Sequence, residues 1–201
     1  MRRWMIVGLT CILGFSISTT GVFAKTVEDV DTDKDGLSDA LERAFGAKPD
    51  TADTDGDGYP DGKEVAAGYS PTSSSTVPLE KKIVIHLSTQ RMEQVLGGII
   101  VSEYIVSTGK PGMRTPTGTF FVRSKNPKAW SRSAKLWMPW WMEFSAKGYG
   151  IHELPEWPGG KKEGANHLGK AVSHGCVRLG VGAAKTMYDW AKIGTQISIV
   201  Q

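Results

Sequence analysis

The sequence predicts a mainly β domain with one late helix, preceded by a small acidic module built from a repeat. Three observations lead there. Charge is divided along the 201-residue chain: residues 25–76 hold 5 basic against 13 acidic side chains, a net of −8, and residues 77–201 hold 17 against 8, a net of +9. The acidic part contains an ungapped repeat of 22 residues. The basic part runs through short β-rich stretches broken by turn residues, with one convincing amphipathic helix.

In chain order, residues 1–24 read as an export signal. Arg2 and Arg3 make a basic start, residues 4–15 an apolar run too short to span a bilayer, and Val22 and Ala24 are small residues where signal peptidase needs them. The expected mature chain is exported, to the periplasm, cell wall or exterior, with no transmembrane segment. Cys11 would leave with the signal, so Cys176 would be the single thiol in an oxidising compartment. For such a protein the basic half suits anionic wall polymer or a membrane surface, and nucleic acid is not an expected partner.

Residues 25–69 form the repeat module. Asp31, Asp33, Asp35, Asp39 and Glu42 recur as Asp53, Asp55, Asp57, Asp61 and Glu64, with Gly36 and Gly58 at the sixth place and Leu37 and Tyr59 at the seventh. This is the spacing of an EF-hand-type calcium loop, whose seventh position offers its main-chain carbonyl. Alternate carboxylates on a tightly curled loop converge on one point, so two calcium sites are expected. Each loop runs into a helical turn: Leu41, Ala44 and Phe45 share a face before Gly46, and Val65 and Tyr69 hold similar places in the second copy. The loops resemble thrombospondin type-3 or dockerin-like repeats, which implies a wall polymer or a protein as their partner.

Residues 70–79 read as a Ser/Thr/Pro linker. Strands are expected at 82–88, 90–95 and 99–107, the last two joined by Gly97-Gly98 as a hairpin, then at 118–124, 136–144, 149–152 and 196–200. Ala183, Ala184, Met187, Tyr188 and Ala191 make the helix stripe, which Gly194 ends. Five of the seven tryptophans lie between Trp130 and Trp157, as packing or as a wall over a peptide or glycan groove.

The chemistry concentrates in Ser173-His174-Gly175-Cys176. A thiol attacks carbonyls as thiolate and needs a base or a positive field beside it. Gly175 lets the backbone curl so that amides can face an oxyanion. His152 closes a strand candidate upstream. With Ile151-His152, the 107–110 stretch Ser-Thr-Gly-Lys and the 115–118 stretch Thr-Pro-Thr-Gly, this motif resembles the L,D-transpeptidase catalytic domain, the YkuD-like fold, over residues 80–201.

The resemblance implies a β-sandwich with one helix near its C-terminal end, and acyl transfer from peptidoglycan stem peptides without a catalytic cofactor. Cys176 would be the nucleophile and His152 the general base, oriented by the carbonyl of Glu153. The Gly175 and Cys176 amides would stabilise the oxyanion, with His174 adjacent. Ser173 and Arg178 are expected at the substrate, although Arg178 serves equally as a structural ion pair behind the loop. Two departures stand out: a long interval between His152 and Ser173 containing the charged segment 154–163, and Gly180-Val181-Gly182 where relatives carry Asn and Asp. Competing readings are an L,D-carboxypeptidase that passes the acyl group to water, and a calcium-dependent scaffold binding zinc through Cys176, His174, His152 and His167.

Overall fold

The computed structural model describes residues 30–201; the expected export signal lies outside them. Among the described residues no helix is long and apolar enough to cross a membrane.

Two short helices follow the two acidic loops: α1 (Asp39–Phe45) and α2 (Asp61–Ala67). Each begins with acidic residues in its first turn, favourable at the positive end of the helix dipole, and each stops at a left-handed glycine, Gly46 or Gly68, whose amide closes on the last carbonyls. Gly62 of α2 lies against the first loop, its amide donating to Asp35 Oδ2 at 2.6 Å. A Cβ at Gly62 would stand 2.7 Å from the Asp35 carbonyl oxygen, so only glycine lets the repeats interlock.

The rest is a nine-stranded sheet. Its strands are β1 (Lys81–His86), β2 (Arg91–Leu96), β3 (Ile99–Ser107), β4 (Gly118–Phe121), β5 (Ser124–Ser131), β6 (Leu136–Ser145), β7 (Tyr149–Glu153), β8 (Val177–Leu179) and β9 (Gln196–Val200). They lie in the order β4-β9-β1-β2-β3-β8-β7-β6-β5. The expected hairpin is there, with Leu96 opposite Ile99 and both Gly97 and Gly98 at positive φ. β1–β9 and β7–β8 are parallel; the other neighbours are antiparallel.

The two faces of the expected sandwich belong to this one curled sheet. Ile83, Ile85, Met92, Ile197 and Ile199 from one half meet Met142, Phe144, Ile151, Val177 and Leu179 from the other, with α3 (Ala183–Trp190) adding Ala184 and Met187. The curl corrects the expected strand at 118–124. The chain leaves β4 at one edge of the sheet, bonds through the Val122 amide to Thr195 O and the Arg123 amide to Glu143 O, and starts β5 at the opposite edge. Phe120 and Phe144 meet edge to face across the gap, 5.3 Å between centroids. The C-terminal carbonyls of α3 are held by lysines from both halves: Lys81 donates to Trp190 O at 3.3 Å, and Lys125 to Ala191 O at 2.7 Å.

The repeat module is docked onto the sheet, not merely tethered to it. Leu37 and Val65 share a buried cluster with Leu96 of β2, packed around by Leu41, Phe45, Leu79, Val101 and Trp190. Residues 72–78 loop out exposed, yet the Leu79 amide returns to Gly68 O at 2.8 Å. Leu96 is fully buried at this joint. Leu96→Ala should therefore cost about 2–5 kcal/mol of stability and speed proteolysis of the 72–78 loop. Equilibrium denaturation and limited proteolysis check this, and a stability equal to the parent's would show that the module is not docked.

Candidate active site

The nucleophile candidate sits one residue ahead of β8. The parallel β7–β8 ladder pairs Ile151 with Val177 and His152 with Arg178. Alternation along an extended strand thus puts Cys176, Arg178, Gly150 and His152 on one face. His152 is buried, and its Nδ1 lies 2.5 Å from the Glu153 carbonyl. That contact fixes Nδ1 as the protonated nitrogen and leaves Nε2 free to accept. Burial pushes the imidazole down to about 3, against the hydrogen bond to Glu153, while the Arg178 charge adds to the fall. His152 therefore rests neutral near pH 7.

The Cys176 thiol is partly exposed. Burial of its sulfur raises its pKa, partly offset by a backbone hydrogen bond at Gly150 and by the Arg178 charge. The resting pair is thus thiol and neutral imidazole. Trp141 lies tilted beside His152, 5.7 Å between ring centroids, and its indole fills the space over Gly150, where a Cβ would lie 2.5 Å from the ring.

The cysteine loop is stitched to the 108–115 segment. The Ser173 amide donates to Thr108 O at 2.9 Å, and the Lys110 amide to Ser173 O at 3.0 Å. Thr115 Oγ1 accepts from the Gly109 amide at 2.9 Å and donates to Gly175 O at 3.0 Å. Gly109 has no room for a Cβ, which would meet Met113 O at 2.2 Å. Gly175 has φ +109, and a Cβ there would stand 2.4 Å from the Tyr149 ring. Lys110 Nζ reaches His174 Nε2 at 3.4 Å on the exposed side of the loop.

Several expectations change in detail. Ser173 is fully buried, and its Oγ accepts from the Gly175 amide (3.1 Å) and donates to Cys176 O (2.5 Å). It shapes the loop and is not open to substrate. The same bond engages the Gly175 amide, one of the two expected oxyanion donors. Arg178 is buried and pairs through Nη1 with both oxygens of Glu163, at 3.0 and 2.9 Å, the ion-pair alternative. The four side chains of the zinc reading do not converge: His174 is exposed, and His167 Nδ1 lies 3.1 Å from Glu163.

In the repeats, Asp31, Asp33 and Asp35 bring carboxylate oxygens within 4.8 Å of one another, as do Asp53, Asp55 and Asp57. Glu42 is fully buried beside the first trio with both carboxylate oxygens unpartnered, and Glu64 Oε2, Asp33 Oδ2 and Asp55 Oδ2 are likewise without partners. Burial, reinforced by the charges of Asp33, Asp35, Asp39 and Asp61, pushes Glu42 up to about 7. Burial and the charges of Asp55, Asp57, Asp61 and Asp53 do the same to Glu64. The position-nine carboxylates also bond to the start of each loop. Asp39 accepts from the amide and hydroxyl of Thr32, and Asp61 from those of Thr54, so they tie each loop to its helix. Leu37 and Tyr59 donate their amides to Asp35 and Asp57; the Leu37 side chain is buried in the docking cluster, and Tyr59 is exposed.

Residues 80–199 match the family of the L,D-transpeptidase catalytic domain. The chain belongs to that family. Residues 31–46 and 53–68 each match the bacterial TSP3 repeat. Two Bacillus subtilis proteins carrying the L,D-transpeptidase name are similar: YqjB, 27% identical over 61% of this chain and 73% of its own length, and YkuD, 29% identical over 62% and 67%. Among solved structures, an L,D-transpeptidase from Mycobacterium smegmatis superposes with a TM-score of 0.55 at 23% identity, over 62% of this chain and 60% of that one. LdtMt1 in complex with imipenem gives 0.55 at 22%, over 61% and 60%. The match thus spans about three fifths of each of those solved chains. At that identity they show the fold of an L,D-transpeptidase catalytic domain, a mainly β curled sheet with few helices.

Sequence reading gave no individual role to Thr115, Tyr149, Trp141, Lys162 and Glu163. Thr115 carried a local signal, since a hydroxyl inside a Thr-Pro-Thr-Gly turn often bonds to nearby backbone, and Lys162 and Glu163 lay in the charged segment already singled out. The raised pKa of Cys176 sets an expected outcome: its alkylation by iodoacetamide should reach half-maximal rate above the ordinary thiol midpoint of about 8.5. A pH–rate profile of adduct formation checks it, and a midpoint below that value would mean a preformed thiolate.

Proposed function

We propose that this chain is a cysteine-dependent peptidoglycan L,D-transpeptidase whose repeats bind calcium. The observation that carries the catalytic reading is the shared face of Cys176 and the buried, neutral His152, held as the Nδ1–H tautomer by Glu153 O. Family membership supports stem peptides as substrate, and export to the wall follows from that substrate.

In the proposed reaction His152 Nε2 takes the Cys176 proton as sulfur attacks the carbonyl of the donor stem's diamino acid. The Cys176 amide faces the oxyanion, the Gly175 amide being engaged by Ser173. Collapse breaks the bond to the terminal D-Ala, whose amine takes the proton from His152, and leaves a thioester. An acceptor amine attacks that thioester, gives its proton to His152, and the sulfur leaves as thiolate to recover the proton. Water in place of the amine would make a carboxypeptidase. Incubation with a disaccharide tetrapeptide and mass spectrometry separates the two outcomes.

The acidic loops fit calcium on the chemistry of their donors. Asp31, Asp33, Asp35 and Glu42 would hold one ion, and Asp53, Asp55, Asp57 and Glu64 the other. Hard oxygen ligands in sixfold or higher number suit Ca²⁺, and the orphaned oxygens of Glu42 and Glu64 have no protein donor to satisfy them. The ion would supply charge neutralisation that lets the loops close.

Cys176→Ala should abolish cross-linking and adduct formation with imipenem, and His152→Ala should slow acylation by roughly 10²–10⁴-fold. Intact-mass spectrometry decides: an adduct on the Cys176→Ala protein would sink the nucleophile assignment. For the repeats, chelation should lower the unfolding temperature, and Glu42→Gln should remove much of that calcium response. Loops of this type bind at about 10⁻⁴–10⁻³ M, so thermal melts across millimolar calcium test it; melts indifferent to calcium would refute the site.

A further inference from the structure

The segment between His152 and Ser173 is folded, not loose. Glu156 forms bridges with both Trp137 and Lys162, the first through hydrogen bonds of 2.8 and 2.9 Å, and Gly160 turns back on Trp157. Lys128 holds Glu156 at 2.8 Å. The segment is therefore a small hairpin laid on the end of β6. Lys162 and Glu163, where this hairpin ends, both turn to the β7–β8 ladder. Lys162 pairs with Glu153, the residue after His152 on β7, and Glu163 pairs with Arg178, the residue opposite His152 on β8.

Both pairs are buried on the ladder side: the Glu153 side chain is 3% exposed, and Arg178 and Glu163 are 9% each. Glu153 also accepts from the Gly182 amide at 3.2 Å, at the start of α3. The carboxylate of Glu153 is thus clamped from two sides, while its carbonyl accepts the His152 Nδ1–H. A buried charge left without its partner would draw water or rotate away, and the carbonyl that orients the base would move with it.

We propose that residues 154–163 are a charged strap, in which Lys162 and Glu163 act as positioning residues. They hold the two charged residues flanking His152 and keep Arg178 from substrate carboxylates. This rests on the reading of His152 as base and Cys176 as nucleophile. Lys162 fixes where the base points, and Glu163 sets how much of the Arg178 field reaches the thiol. The groups surrounding this pair are Glu153 and Arg178 on the ladder, Lys162 and Glu163 from the strap, His167 behind Glu163, and Lys110 and His174 at the exposed loop. Removal of the Glu163 charge leaves Arg178 unopposed, which favours the thiolate.

The test uses the full chain with Glu163→Gln, Lys162→Met and Lys162→Arg. Glu163→Gln should move the iodoacetamide midpoint of Cys176 down by about one pH unit. Lys162→Met should slow imipenem acylation at saturation by roughly tenfold with little change in the half-saturating concentration, and Lys162→Arg should restore most of the rate. A Glu163→Gln midpoint that stays or rises would overturn the proposal. So would a Lys162→Met rate equal to the parent's, or a Lys162→Arg rate as slow as that of Lys162→Met. If Glu163→Gln does not fold, the Lys162 pair decides alone. Failure of the underlying assignment shows differently, as an imipenem adduct located off Cys176 in the parent protein.

Discussion

The structure depends on a three-residue parallel ladder, Ile151–Glu153 against Val177–Leu179. Its register decides which side chains share a face, and a slip of one residue would send His152 to the side opposite Cys176. So short a ladder cannot hold its register alone. Ile151, Val177 and Leu179 lock it from the core side as fully buried apolar residues. On the other side Trp141 covers Gly150 and His152, and the stitching of Ser173 to Thr108 and Lys110 sets where β8 begins. The burial that protects this register also keeps the imidazole neutral and the thiol protonated.

Much of this was legible in the sequence because local chemistry announces it. The Gly97-Gly98 hairpin, the β9 boundaries and the helix stripe of α3 follow from turn residues and periodicity. The acidic loops are readable because their carboxylates recur at fixed spacing in both copies. What escaped was decided by distant partners. β5 holds Pro127, which argues against a strand until the strand is known to lie at an edge. β8 is three residues inside a motif, too short for any period. Ser173 reads as a polar group available to substrate, yet it is spent on its own loop. Lys162 and Glu163 look like two more charges in a charged run, and only the fold shows that each meets a different catalytic strand.

The module boundary shows the same limit. The Ser/Thr/Pro stretch has a linker's composition, and its exposed loop agrees, but composition does not reveal what the linked parts do to one another. Leu37 and Val65, with Leu41 and Phe45 around them, commit the repeats' apolar surface to Leu96 and its neighbours. Trp190 packs against this cluster and against the main core alike. Ordering of the loops and packing of the sheet therefore share side chains, and disturbance of one is felt in the other.

The outer strand β5 has a consequence for solubility. An open sheet presents unpaired amides and carbonyls along its last strand, ready to recruit a strand from another molecule. Here that strand places Pro127, which has no amide hydrogen to offer, between exposed Asn126 and Lys128. The outward amide of Lys128 is already taken by Asn126 Oδ1 at 2.9 Å, so a second chain approaching this edge would find an engaged donor at mid-strand and a cation beside it. Asn126, by closing on its own strand, thus helps guard that edge against edge-to-edge aggregation.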